Sequence, residues 1–189
     1  LPRKAELDFL KAELKAGAES RKLLFVFLHM PFFSAGEKPK EEIPNAPTEI
    51  TKLFSAHRVA AVFSGHDHIY YRTVRDGVPY VISAGAGAEI YELKRRGEAL
   101  PEDSWYGLDP ATNKYVLHAA GGAAQEKPAE KVFDKEQHYF LQVEVNGERV
   151  ELKVISHTGE LWEQAVLRGG TSSKTAGAER KSEPVPAGK

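Results

Sequence analysis

Val59-Ala60-Ala61-Val62-Phe63-Ser64-Gly65-His66-Asp67-His68 runs from five apolar residues into a glycine flanked by a serine and two histidines. An unbroken apolar run of this kind predicts a strand buried on both faces. Upstream, Leu23-Leu24-Phe25-Val26-Phe27-Leu28 has the same character and ends at His29-Met30-Pro31, where the proline stops the ladder. Between the two runs, Ile50, Leu53 and Phe54 fall at i, i+3 and i+4, which predicts a short helix with Pro47 near its start. Strand, helix, strand is the grammar of a parallel pair. His29 and His66 then reach the same C-terminal edge of adjacent strands, where ligand sites in α/β sheets gather.

Outward from this unit the pattern changes. Leu7, Leu10 and Leu14 punctuate charges over residues 3–16, an amphipathic helix expected to stop at Gly17. Residues 34–47 read as loop. Ile69–Arg75 and Val78–Ser83 flank Asp76-Gly77, a hairpin with a two-residue turn. Pro79 suggests an edge strand or a gap in the ladder. Ala84–Ala88 reads as a flexible loop of close approach. Residues 89–131 show no sustained period and are taken as a long insertion, partly helical at most. Residues 138–155 alternate apolar and polar around Asn146-Gly147. A four-residue connection, Asn146–Arg149, sets Val145 opposite Val150 and Val143 opposite Leu152. A slip of one residue would turn the apolar face outward, so that register is the expected one. Leu161–Leu167 predicts one more strand. Residues 1–168 thus form one domain, and the Gly, Ser, Lys, Glu and Pro of 169–189 predict a disordered tail.

The chain has 189 residues, with 26 Lys plus Arg against 27 Asp plus Glu. That balance argues against bulk electrostatic binding to nucleic acid or to a membrane surface. There is no cysteine, so any transition-metal site must use histidine and carboxylate. The longest apolar run, Leu23–Leu28, falls far short of the roughly 18 residues of a spanning helix. Leu1 opens the chain with no basic-then-apolar leader, so no signal peptide is expected.

His29, His66 and His68 carry the chemical signal. Neutral imidazole is a good ligand for Zn, Fe and Mn-type ions. Gly65 permits a sharp turn beside an ion. Two histidines at i and i+2 around such a turn can serve two ions about 3.5–4 Å apart.

Three blocks, Phe27–Ser34, Val62–Arg72 and Tyr80–Ala88, resemble the calcineurin-like metallophosphoesterases, nearest the purple-acid-phosphatase-like branch. The resemblance covers roughly residues 20–90 and 138–167. It implies an α/β fold, part of a four-layer α/β/β/α sandwich with mixed sheets. It also implies a metal-dependent phosphoester hydrolase, a phosphomonoesterase or phosphodiesterase, with two divalent or trivalent ions (Fe, Zn or Mn). On that resemblance His29 and His66 would bind the second ion and His68 the first. Tyr71-Arg72 stands where the branch usually has Glu-Arg. Both residues are taken as structural, Arg72 also as a candidate for substrate contact. Asp67 occupies a variable position and is expected to face solvent. No residue is assigned as catalytic.

The family's Asp-x-His, Gly-Asp-x-x-Asp and Gly-Asn-His blocks do not occur here. The chain is therefore expected to be a C-terminal portion whose partner is the N-terminal half, and to be inactive or nearly so alone. Its other expected partner is a phosphoester substrate. The competing expectation is a non-catalytic interaction scaffold of the same ancestry. A third is a mononuclear site holding one ion on His29 and His66. His57, His118, His138 and His157 are read as structural, and Trp105 and Trp162 as packing residues, with Trp105 a candidate to line a cleft. Gly85-x-Gly87 fails the dinucleotide fingerprint because residue 90 is Ile. Localisation is not legible in these residues.

Overall fold

The structure is a computed structural model and describes residues 4–20, 22–36, 48–93, 102–121 and 127–168. Two helices and ten strands are found among them: α1 (Lys4–Glu19), β1 (Phe25–Leu28), α2 (Thr48–Ala56), β2 (Ala61–Ser64), β3 (Tyr70–Arg75), β4 (Val78–Ser83), β5 (Ser104–Asp109), β6 (Lys114–Ala119), β7 (Ala129–Phe133), β8 (Tyr139–Asn146), β9 (Arg149–Ser156) and β10 (Leu161–Arg168). Seven strands form a mixed sheet in the order β1-β2-β4-β3-β5-β6-β7, and three form an antiparallel sheet, β10-β9-β8.

The βαβ unit forms as its pattern predicts. β1 and β2 are parallel, with Leu28 paired to Ser64 and Phe27 to Phe63. The two faces of this pair then part company. Val26, Leu28 and Val62 pack with Leu14 of α1 and Ile50 and Phe54 of α2, while Phe63 packs toward the three-stranded sheet. Between the sheets Tyr70, Val81, Tyr106 and Leu117 meet Tyr139, Leu152, Val154 and Trp162. The described residues thus make three layers, helices on sheet on sheet. A third apolar cluster, centred on Ile69, Tyr71, Ile82 and Trp105, lies under the loops that carry Ala35 and Leu93.

Several expectations need correction. β1 is an edge strand and is not buried on both faces, for Phe27 is 76% exposed. Gly17 lies inside α1, which runs to Glu19. Pro79 sits in β4, a central strand, so of its two expected settings the edge is wrong and the gap in the ladder is the one found. Its missing donor is harmless because the parallel ladder with β2 begins one residue later, at Tyr80. The stretch read as an insertion supplies β5, β6 and β7, which extend the large sheet. Asp109 closes their first hairpin, accepting from Ala111 N at 3.0 Å and Thr112 Oγ1 at 2.9 Å. The tail at 169–189 and residues 37–47 of the first loop lie outside the described residues.

The register of β8 and β9 is the expected one, with Val145 opposite Val150 and Val143 opposite Leu152. Asn146 and Arg149 are themselves paired, so the turn proper is Gly147-Glu148. Gly85 lies against the ring of Tyr139, so near that a Cβ there would stand 1.9 Å from Cε1. That contact, with Tyr139 Oη donating to Ile69 O at 2.8 Å, ties the loop after β4 to the small sheet.

Candidate functional site

β1 and β2 end side by side, and Gly65 N donates to His29 O at 3.2 Å. The next residue turns sharply. Asp67 N donates to Gly65 O at 2.8 Å, and His66 between them has φ of 66°. An i to i+2 hydrogen bond around a positive-φ residue is the γ-turn, a rare and strained device. A second bond of the same span, Ile69 N to Asp67 O at 2.8 Å, brackets His68. Two consecutive tight turns therefore carry the two histidines at their apices.

The first turn aims His66 at His29. His66 Nδ1 and His29 Nε2 are 3.1 Å apart, with the rings edge to face. One nitrogen must carry the shared hydrogen and the other accept it, unless a cation takes the place of the hydrogen. His68 turns elsewhere: its Nδ1 meets Glu89 O at 3.0 Å, and its ring stacks on Tyr91 at 4.2 Å. Donation to that carbonyl fixes the tautomer and leaves Nε2 as the atom with a free lone pair. Of the three predicted ligands the structure brings two together and holds the third in its own pocket. Among the described residues no group of three or more His, Cys, Asp or Glu is placed to hold an ion. The donor set fits two ligands of one borderline ion and does not by itself fill a two-ion centre.

Asp67, expected in solvent, is fully buried beside Gly36. The second turn folds it under the loop after β1. Arg72 is likewise absent from the rim. It lies between the sheets, where Nη2 meets Glu163 Oε1 at 2.5 Å and Nε meets it at 3.1 Å. Tyr70 donates to the other oxygen of Glu163, and Ser104 Oγ donates to Oε1 at 2.7 Å. Burial pulls the Arg72 pKa down, but the charge of Glu163 reverses this and holds it above the ordinary arginine value. Burial, with Glu163 alongside, pushes the Tyr70 hydroxyl well up. Arg72 is thus a structural cation, its guanidinium engaged by Glu163 and Ser104.

Glu163 escaped the sequence reading. A register shift between Leu161 and Glu163 places Trp162 and Glu163 in succession, both inward. A bulge of this kind breaks the period of two on which any strand pattern rests. A partial signal was present in Tyr70 and Arg72, which share one strand face. Tyr71, on the other face, donates to Asp103 Oδ2 at 2.6 Å. Trp105 is buried and stacks on His118 at 4.0 Å, the packing role expected of it. His57 Nδ1 meets Leu53 O at 2.9 Å just past the end of α2, in keeping with the structural role expected of it.

No family model and no curated protein matches the chain. Among solved structures, the chain is similar to one described as GAP50, the anchor in the inner membrane complex of Plasmodium. The two share 13% identity at a TM-score of 0.54. The match covers 87% of this chain and 42% of the other, so this chain spans less than half the length of its neighbour. At that identity the likeness concerns the fold alone. No helix among the described residues is long and apolar enough to cross a membrane.

Proposed function

We propose that this chain carries the imidazole portion of a metal-dependent phosphoester hydrolase of the metallophosphoesterase kind. The remaining carboxylate and asparagine donors of a dinuclear centre would come from outside these 189 residues. In the full assembly the fold would be the four-layer sandwich of that family. The observation that carries this reading is the 3.1 Å approach of His29 Nε2 and His66 Nδ1 at the common C-terminal rim of β1 and β2. The γ-turn at His66 adds weight, since strained backbone persists only where the surrounding structure holds it, and it clusters at functional sites. His29 and His66 would hold an ion, and His68 Nε2 stands ready as a donor on the next turn. A bound ion of this type supplies Lewis-acid stabilisation of charge on phosphoryl oxygens. The chain's own contribution is to hold the two imidazoles with His66 Nδ1 facing His29 Nε2, so that a bound ion would displace the hydrogen they share.

A second reading is favoured by a specific observation. The described residues offer no group of three donors, as a non-catalytic scaffold of the same ancestry would show. The neighbour of similar fold is itself described as an anchor within a complex. The single-ion reading agrees with the same geometry, because His29 and His66 meet and His68 does not join them.

Calorimetric titration with Zn²⁺ decides among these. One ion per chain is expected, at micromolar affinity, lost by at least tenfold in His29→Ala and in His66→Ala. His68→Ala should stay within about threefold of the parent, and turnover of an aryl phosphate by the chain alone should remain at background. Absence of any bound ion would remove the hydrolase reading and leave the scaffold. Two ions per chain would mean that the donors are complete within these residues.

A further inference from the structure

One segment, Glu89–Leu93, holds His68 at three points. Glu89 O lies 3.0 Å from Nδ1, Tyr91 N donates to His68 O at 2.9 Å, and the Tyr91 ring stacks on the imidazole at 4.2 Å and 25°. The segment is itself anchored. Leu108 N of β5 donates to Tyr91 O at 3.0 Å, and Leu93 N donates to Leu108 O at 2.8 Å. Leu93 also bridges to Gly36, beyond β1. The segment lies so close on β5 that a Cβ at Gly107 would stand 2.8 Å from the Leu93 side chain and 3.1 Å from Tyr91 O. A strap tied at both ends thus runs beside the turn that carries His68.

The strap selects one form of the imidazole. A carbonyl only accepts, so Nδ1 must carry the hydrogen, whereas in water the neutral ring is free to carry it on either nitrogen. A single hydrogen bond from a partly exposed ring competes with water and selects weakly. Tyr91 adds what that bond lacks. To take Nδ1 away from Glu89 O the imidazole must turn about Cβ–Cγ, and half-way through it stands edge-on to its neighbour. Edge to face, His29 and His66 stand 5.0 Å apart. With the tyrosine face 4.2 Å away, the turning edge has no room.

We propose that Tyr91 is a positioning residue for His68: its ring holds the imidazole against Glu89 O and so keeps Nε2 as the bare donor nitrogen. The role rests on the reading of His68 as a donor in the proposed hydrolase. Tyr91 acts through His68 and is itself neither a ligand nor a catalytic group. Partners of this kind, behind a ligating histidine, set its tautomer and the direction of its ring. A tyrosine that only filled the apolar cluster of Ile69, Leu93 and Trp105 would leave the tautomer of His68 unchanged when replaced.

The test is the long-range nitrogen–proton NMR spectrum of the isotopically labelled chain at mildly alkaline pH, where the rings are neutral. No metal is added, and His68→Gln assigns the signals. In the parent, His68 Nδ1 is expected at a protonated shift and Nε2 at a bare one. Tyr91→Ala should draw the two shifts toward each other as the tautomers average. Tyr91→Phe keeps the flat face and should leave them at the parent positions. The His29 and His66 signals should not move in either variant. Tyr91→Leu, which fills the space without a flat face, replaces Tyr91→Ala should that variant unfold. Four results would each overturn the proposal: parent signals that place the hydrogen on Nε2, unchanged His68 signals without the aromatic ring, a Tyr91→Phe spectrum like that of the alanine variant, or a shift of all three histidines together. Because no ion takes part, a failure here is distinct from a failure to bind Zn²⁺.

Discussion

His66 holds a φ of 66° without being glycine. For an L-residue the left-handed region costs about 1–2 kcal/mol. The sequence could as well have placed Gly65 at that apex, yet glycine stands one residue early and the ring takes the strained position. The consequence is geometric, since the turn is what sends Nδ1 back toward His29 Nε2. The strain can be measured apart from the ring. His66→Ala and His66→Gly both remove the imidazole, but only alanine keeps the backbone penalty. At an ordinary site glycine is the less stable of the two by about 0.4–1 kcal/mol, through the entropy of the unfolded chain. Here the order should invert, with the glycine variant more stable by about 0.5–1 kcal/mol once that entropy is set against the relief. Urea midpoints in the usual order would show that the turn is relaxed.

The elements that position this residue were legible where one periodicity ruled. The β1-α2-β2 unit follows from two apolar runs and an i, i+3, i+4 triplet, and the β8–β9 register follows from the cost of a one-residue slip. Legibility failed where two faces of a strand are buried by different means. Ser104-Trp105-Tyr106-Gly107-Leu108-Asp109 has no alternation because polar Ser104 and Asp109 are also buried, satisfied by Glu163 and by their own turn. The candidate site was legible in part for the same reason. His29 and His66 follow from strand ends, whereas the separate seat of His68 depends on Glu89 and Tyr91 in a loop with no pattern. Glu163 is the element-scale device that no pattern disclosed. It joins β10 to β3 and β5 through Arg72, Tyr70 and Ser104. Glu163→Gln keeps the shape, removes the charge and strands the guanidinium. Breaking one partner of a buried pair costs about 3–5 kcal/mol, and a loss at the lower end is expected in urea unfolding. The double variant Arg72→Met with Glu163→Leu should recover much of it, because apolar groups of similar volume carry no desolvation penalty. A single variant within about 0.5 kcal/mol of the parent would mean that the two sheets hold together without this bond.

Across the whole molecule the sandwich interior is unusually phenolic. Tyr70, Tyr106 and Tyr139 lie between the sheets, and Tyr71 and Tyr80 on the opposite side of the large one. Burial pushes all five hydroxyls upward, Tyr80 to about 12 and the others beyond or well above their ordinary value. The direction fixes the sign of the linkage. Above pH 10 the unfolded chain sheds its phenolic protons while the native state keeps them, so the native state binds more protons and stability falls as pH rises. The contribution is complete below pH 10 and drains away through pH 12 and beyond. Each tyrosine that remains protonated adds a slope of about 1.4 kcal/mol per pH unit, so five together make alkaline unfolding steep. Phenolate absorbance should therefore rise together with the loss of circular dichroism. Tyr80 offers the clean control, because its buried oxygen has no hydrogen-bond partner among the described residues. Tyr80→Phe should be close to neutral at pH 7. Between pH 10 and 12 its stability should fall less steeply than the parent's, by about 1.4 kcal/mol per pH unit, moving the alkaline midpoint upward. Superimposable pH profiles for the two chains would mean that the Tyr80 hydroxyl titrates as it does in water, against its burial between α2 and the large sheet.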